Sequence, residues 1–133
     1  MSMAVFGFIG VGNMGGALAR AAALRLPGSS VLLANRSREK AEKLAEELGA
    51  VVSDNLAIAA SADYIFLGVK PQMLPGVLAQ LAPGLAGRSS PFVLVSMAAG
   101  TSIEKVQQLC GIKWPVIRIM PNTPASNGKP KIL

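Results

Sequence analysis

Phe6-Gly7-Phe8-Ile9-Gly10-Val11-Gly12-Asn13-Met14-Gly15-Gly16-Ala17-Leu18 is the stretch that decides the fold of this chain. An apolar run with strand character enters Gly10-x-Gly12-x-x-Gly15, and an apolar-periodic helix pattern follows. A dinucleotide pyrophosphate site requires that order. Gly10 allows a tight turn after the strand, Gly12 lets the backbone come close to a phosphate, and Gly15 lets the helix pack closely on the sheet. The helix then directs its unpaired N–H groups and the positive end of its dipole at the anion. The simpler alternative is a glycine-rich turn that serves packing only. The strand before it, the helix after it and polar residues about 20 positions further on weigh against that alternative.

Composition sets the outer bounds. The 133 residues suffice for one domain with its own core. At 51% hydrophobic and 15% charged, the chain is predicted to fold rather than stay disordered. No apolar run reaches the roughly 18 residues of a membrane span, and no secretory signal is recognisable, so the expectation is a cytoplasmic protein without membrane contact. The single cysteine, Cys110, excludes an internal disulfide, suits a reducing compartment, and reads as a small buried hydrophobe. The chain has no histidine, which excludes an imidazole base and His-ligated metal. No metal site is expected. The net charge of +6 raises nucleic acid as a partner. Scattered Lys and Arg, one Trp and one Tyr argue against it, and an anionic dinucleotide accounts for the positive field.

Strand and helix patterns alternate from there. Strands are predicted over residues 4–9, 31–34, 50–53, 63–69, 92–96 and 116–120. Helices are predicted over 13–25, 37–48, 55–62, 73–82 and 102–110. In the second helix Ala41, Leu44, Ala45 and Leu48 share one face, Ser37 stands at the cap and Gly49 at the C′ position. Residues 83–91, rich in Gly, Pro and Ser, read as a loop. Six strands with helical crossovers give an α/β fold, a doubly wound parallel sheet in the order 3-2-1-4-5-6. Residues 1–125 form a single dinucleotide-binding domain, and 126–133 read as an unstructured tail.

In such sheets a ligand lies beyond the carboxyl ends of the strands where the order reverses. That rule selects Ile9, Gly10, Val11, Gly12, Asn13 and Met14 after the first strand, and Asn35, Arg36 and Ser37 after the second. Gly68, Val69, Lys70 and Pro71 follow the fourth, and Met97, Ala98 and Ala99 the fifth. Asn122 and Thr123, between prolines after the sixth, are candidates on the substrate side. The second loop discriminates between cofactors, because it holds no acid to select NAD by its ribose diol or to repel a 2′-phosphate. A guanidinium there pairs with that phosphate, so NADP(H) is preferred over NAD(H). The alternative is that Arg36 and Arg38 merely open a solvated helix, where the dipole disfavours them. Lys70, ahead of a proline, is expected to be extended. It is either a general acid or part of a backbone passing the nicotinamide ribose, and its loop position favours the second role. Asn55 fits a helix cap and an adenine-side contact equally well.

Taken together these segments resemble the pyrroline-5-carboxylate reductases. The resemblance rests on Phe8–Gly15, Ser53-Asp54-Asn55, Asp63–Pro71, Val95–Gly100 and Arg118-Ile119-Met120-Pro121-Asn122-Thr123-Pro124-Ala125. It covers residues 4 to 125. It implies a Rossmann-like NADP-binding domain of an oxidoreductase of proline (amino-acid) biosynthesis, passing hydride from NADPH to the C=N carbon of a small imine, 1-pyrroline-5-carboxylate. It also implies cofactor contact for the loops after the first, second, fourth and fifth strands and for Asn55. The family's substrate pocket and homo-oligomer contacts come from a C-terminal helical domain, where the catalytic groups are expected, so this chain is expected to be poorly active by itself. Two other functions are compatible with the residues: another NADP-dependent reductase of the β-hydroxyacid dehydrogenase-like or coenzyme F420–NADP group, and a non-catalytic NADP-binding module.

Overall fold

The computed structural model describes residues 4–26, 30–97, 115–121 and 130–132. Its elements in order are β1 (Phe6–Ile9), α1 (Asn13–Ala23), β2 (Val31–Ala34), α2 (Arg38–Leu48), β3 (Val51–Val52), α3 (Asn55–Ser61), β4 (Tyr64–Leu67), α4 (Leu74–Gly87), β5 (Val93–Ser96), β6 (Val116–Pro121) and β7 (Pro130–Ile132). A 3-10 turn, Pro71–Met73, leads into α4. The sheet order is β3-β2-β1-β4-β5-β6-β7. β1 to β6 pair in parallel, and β7 pairs antiparallel with β6. The predicted doubly wound 3-2-1-4-5-6 sheet is therefore present, with one more strand at its edge.

Two faces of the sheet carry two cores. Alternation along each strand sends Phe8, Val31 and Leu33 to the side of α1 and α2, with Val11, Ala19, Ala41, Leu44 and Ala45. Ile9, Ile65, Leu67 and Leu94 go to the side of α3 and α4, with Ile58, Leu74, Leu78, Leu81 and Leu85. Phe8 and Phe66 stack across neighbouring strands with ring centres 4.5 Å apart. Gly7 admits α3 to the sheet, since a Cβ there would lie 2.5 Å from Ile58 Cγ2.

The helix ends obey local chemistry. Gly49 stops α2 in the left-handed region at φ 70°, its N–H donating to the Ala45 carbonyl. Asp54 caps α3, its Oδ1 accepting from the Ala57 N–H at 2.8 Å. Ser37 occupies the N-cap position of α2, but its side chain makes no cap hydrogen bond.

Two expectations need correction. The loop predicted over 83–91 is helical as far as Gly87, with Pro83 inside α4. A proline in a helix interior costs about 3 kcal/mol. Leu81 and Leu85 straddle Pro83 on the buried face, and a buried leucine returns about 1.5–3 kcal/mol each. Tertiary burial outweighs local propensity here. The stretch predicted as an unstructured tail, 126–133, contains β7, paired with β6 at Ile119–Ile132, Met120–Lys131 and Pro121–Pro130. Backbone pairing with a sheet edge requires no apolar periodicity, which is why the pattern missed it. The helix predicted over 102–110, with Cys110, lies outside the described residues.

Candidate functional site

The pairing register brings four strand ends together. Ile9 lies opposite both Ala34 and Leu67, and Leu67 lies opposite Ser96. The loops after β1, β2, β4 and β5 therefore leave the sheet along one line. They border a cleft of about 1180 Å³, at the upper end of common small-molecule pockets or beyond (roughly 300–1,000 Å³). Ile9, Gly10 and Gly12 line it from β1, Asn35 and Arg36 from β2, Gly68, Val69 and Lys70 from β4, and Met97 from β5.

The floor of this cleft is shaped by glycine contacts. Gly10 has φ 90°, and a Cβ there would lie 2.8 Å from the Gly68 carbonyl carbon. A Cβ on Gly15 would lie 2.0 Å from the Gly10 oxygen, and one on Gly68 would lie 2.7 Å from that same oxygen and 3.0 Å from Met97 Cε. The β1 and β4 turns and the start of α1 thus meet backbone to backbone. Gly12 differs, because a Cβ there would meet nothing within 4 Å. Packing does not require glycine at that position, but close approach of a ligand does. Gly12 is also the N-cap of α1, and no side chain caps the first turn. The space above this turn fits an anionic group held by helix N–H donors.

The second loop is tied to the first. Gly10 N–H donates to the Ala34 carbonyl at 2.8 Å, and Val11 N–H donates to Asn35 Oδ1 at 3.0 Å. Asn35 Nδ2 donates in turn to the Ser37 carbonyl at 3.1 Å. Asn35 is thus a brace that fixes the glycine bend relative to β2. Arg36 is exposed beside it and makes no hydrogen bond or ion pair among the described residues. Lys70 is also exposed. Its carbonyl accepts from Met73 N–H at 2.9 Å, which closes the 3-10 turn, and Lys70 itself stands just ahead of that turn, outside any helix.

The opposite wall is built by α3 and α4. Asn55 Nδ2 donates to Gln80 Oε1 at 2.7 Å. One turn further along both helices, Gly84 lets α4 approach α3, since a Cβ there would lie 3.1 Å from Ala59 Cβ. One turn beyond that, Arg88 Nη1 donates to the Ala59 and Ala62 carbonyls at 2.9 and 2.7 Å. The guanidinium also donates to Ser90 and Pro91 and lies 5.0 Å from the Phe92 ring centre. Burial lowers the Arg88 pKa from its ordinary value, and Asp63 opposes that shift. Its charge sits at the negative end of α3, where a cation is favoured.

Of the predicted site residues, the structure brings Ile9, Gly10, Gly12, Asn35, Arg36, Asn55, Gly68, Val69, Lys70 and Met97 to the cleft. The Val11 side chain packs instead in the α1–α2 core, and Ser37 lies off the cleft at the start of α2. Asn13, Met14 and Pro71 lie in the bordering turns, while Ala98, Ala99, Asn122 and Thr123 lie outside the described residues. Asp54, Leu56, Gln72, Met73, Val77 and Gln80 line the cleft without having been predicted. Met73, at the N-cap of α4, and Val77 and Gln80 within it follow helical spacing beside the core stripe, and that spacing was the available signal. Among the described residues no cluster of His, Cys, Asp or Glu could hold a metal ion, and no helix is long and apolar enough to cross a membrane.

Comparison with known proteins agrees with this geometry. The pyrroline-5-carboxylate reductase of Corynebacterium melassecola is 36% identical over 129 residues, covering 96% of this chain and 48% of that protein. The pyrroline-5-carboxylate reductase structure from Coxiella burnetii superposes with a TM-score of 0.81 at 29% identity, over 94% of this chain and 46% of that one. The Plasmodium falciparum pyrroline carboxylate reductase, solved with NADP bound, superposes with a TM-score of 0.75 at 28% identity, over 93% and 44%. The chain spans about half the length of the curated relatives it matches. Residues 5–100 match the family described as NADP oxidoreductase coenzyme F420-dependent, and the chain belongs to that family.

Proposed function

We propose that this chain is the cofactor-binding part of an NADPH-dependent reductase that converts 1-pyrroline-5-carboxylate to proline. The observation that carries the proposal is the glycine bend. Gly10, Gly15 and Gly68 are locked by backbone contact, while Gly12 leaves open space at an uncapped helix start. Such a bend holds a pyrophosphate, and the cleft beyond it has room for the rest of a dinucleotide. Binding of NADP by a 28% identical structure of the same fold supports the same assignment.

Preference for NADP(H) over NAD(H) follows from the loop after β2. Arg36 is an exposed guanidinium with no partner among the described residues, and Asn35 stands where a diol-binding acid would select NAD. Bound nicotinamide supplies the hydride by its own chemistry. The residues of this chain hold it in place and fix its angle to the imine carbon. We assign cofactor contact to Gly10, Gly12, Asn35, Arg36, Asn55, Gly68, Val69, Lys70 and Met97, with Asn13, Met14, Pro71, Ala98 and Ala99 in the adjoining turns. Asn122 and Thr123 remain the proposed substrate-side pair. A cytoplasmic location is proposed with them, on the strength of the single cysteine.

Substrate-dependent oxidation of NADPH tests the reading. 1-Pyrroline-5-carboxylate is expected to drive it with formation of proline, whereas β-hydroxy acids and coenzyme F420 are not. The 133 residues by themselves are expected to turn over well below the ~10 s⁻¹ typical of enzymes, because the substrate pocket is proposed to lie in the remaining half of the longer relatives. Faster turnover with a hydroxy acid or with F420 than with the imine overturns the reading.

A further inference from the structure

The cleft wall made by α3 and α4 carries an amide pair, Asn55 and Gln80, whose second member belongs to no motif. Asn55 is the first residue of α3, half-buried, and Gln80 is an exposed residue on α4. Both line the cleft, 25 residues apart in sequence, and they meet through Asn55 Nδ2 and Gln80 Oε1 at 2.7 Å. A primary amide has a donor side and an acceptor side. One of the two Asn55 N–H groups is held by Gln80, which fixes the amide plane and its sense, and the Asn55 carbonyl oxygen has no partner among the described residues. The helix does not need this side chain as a cap, because Asp54 already fills that role through the Ala57 N–H.

We propose that Gln80 is a positioning residue: by holding the Asn55 nitrogen it presents the Asn55 oxygen to the cleft as a hydrogen-bond acceptor for a ribose hydroxyl of the dinucleotide. This rests on the nicotinamide-dinucleotide reading above and adds a residue that acts only through another. The chemistry selects the recognised group. An acceptor oxygen binds a hydroxyl donor and repels a phosphate, so Asn55 complements Arg36, the cationic partner for phosphate on the opposite wall. The helices hold the pair in step, since Gly84 against Ala59 and Arg88 on the Ala59 and Ala62 carbonyls fix α4 along α3.

A double-mutant cycle on the full chain tests the proposal, with NADPH binding followed by fluorescence titration and folding by thermal melt. Gln80→Met keeps length but cannot accept from the amide, and it is expected to weaken NADPH by about fivefold to tenfold, the scale of one net hydrogen bond. Asn55→Ala is expected to weaken it at least as much, and adding Gln80→Met to Asn55→Ala is expected to change nothing further. Gln80→Glu, which keeps an acceptor at the same reach, is expected to stay within about threefold of wild type, on the order of a surface-charge change. Additive losses from Asn55→Ala and Gln80→Met overturn the proposal, as does a Gln80→Glu variant as weak as Gln80→Met. The second of these results would mean that the amides pair in the opposite sense. Failure of the wild-type chain to bind NADPH would instead refute the functional reading on which the proposal rests.

Discussion

The two walls of the cleft are made by different means. On the β1–α1 side the shape is made by backbone: Gly10, Gly15 and Gly68 touch through main-chain atoms, and Asn35 ties the bend to β2. On the α3–α4 side it is made by side-chain contacts: Gln80 and Gly84 on α4 and Arg88 just past its end, spaced four apart, meet successive turns of α3. A backbone-built wall tolerates almost no substitution, because a Cβ has nowhere to go. A side-chain-built wall yields by degrees, because each contact contributes its own small free energy. The rigid wall stands where the pyrophosphate is proposed to bind and the adjustable one where Asn55 faces the cleft.

Substitutions graded by expected effect test this contrast. Gly15→Val is the most disruptive, since its Cβ would fall 2.0 Å from the Gly10 oxygen. Backbone must shift, and a loss of about 3 kcal/mol or more is expected in urea unfolding. A loss under about 1 kcal/mol would mean that the bend is not backbone-limited. Arg88→Met comes next. It leaves the Ala59 and Ala62 carbonyls without their donor and is expected to cost about 2 kcal/mol, read in the same assay. An unchanged midpoint would show that α3 is held by apolar packing only.

Gly12→Ala separates packing from ligand approach. Stability is expected to stay within about 1 kcal/mol, because the added methyl meets open space and alanine is only a poorer N-cap than glycine. NADPH affinity is nevertheless expected to fall by about tenfold or more, since a ~1.4 kcal/mol clash suffices for that. Equal losses in both measurements would return Gly12 to a packing role. Arg36→Ala has the smallest effect on folding, within about 0.5 kcal/mol for an exposed side chain. It is expected to weaken NADPH by about tenfold while leaving NADH nearly unchanged, in line with the loss of a charge-assisted pair. A parallel loss for both cofactors would remove Arg36 from 2′-phosphate recognition.

The same contrast explains how much was legible in the sequence. The backbone wall is local. Gly10, Gly12 and Gly15 lie within six residues, their geometry follows from residue type, and the strand before and helix after them complete the pattern. Strand order followed from apolar runs and handed crossovers, and the loops at the strand ends then selected most of the cleft lining. The side-chain wall is non-local. Nothing near Gln80 indicates that it faces Asn55, and Pro83 misdirected the end of α4 because its local cost is visible whereas the burial of Leu85 is not. Asn55 fits a cap and a contact equally well in the sequence, and the Asp54 side chain, which accepts from the Ala57 N–H, leaves it free of the capping role. The direction of the Val11 side chain is equally invisible in the sequence: it packs in the α1–α2 core, while Ile9, Gly10 and Gly12 line the cleft.

The central claim is that the glycine bend and the Asn35–Arg36 loop together form one binding surface for a 2′-phosphorylated dinucleotide. Fluorescence titration of the folded chain with NADPH and with NADH measures it most directly. Saturable binding of NADPH, about tenfold or more tighter than NADH and weakened by salt, is the expected result. Absence of binding by either reduced nucleotide, or tighter binding of NADH, would contradict it.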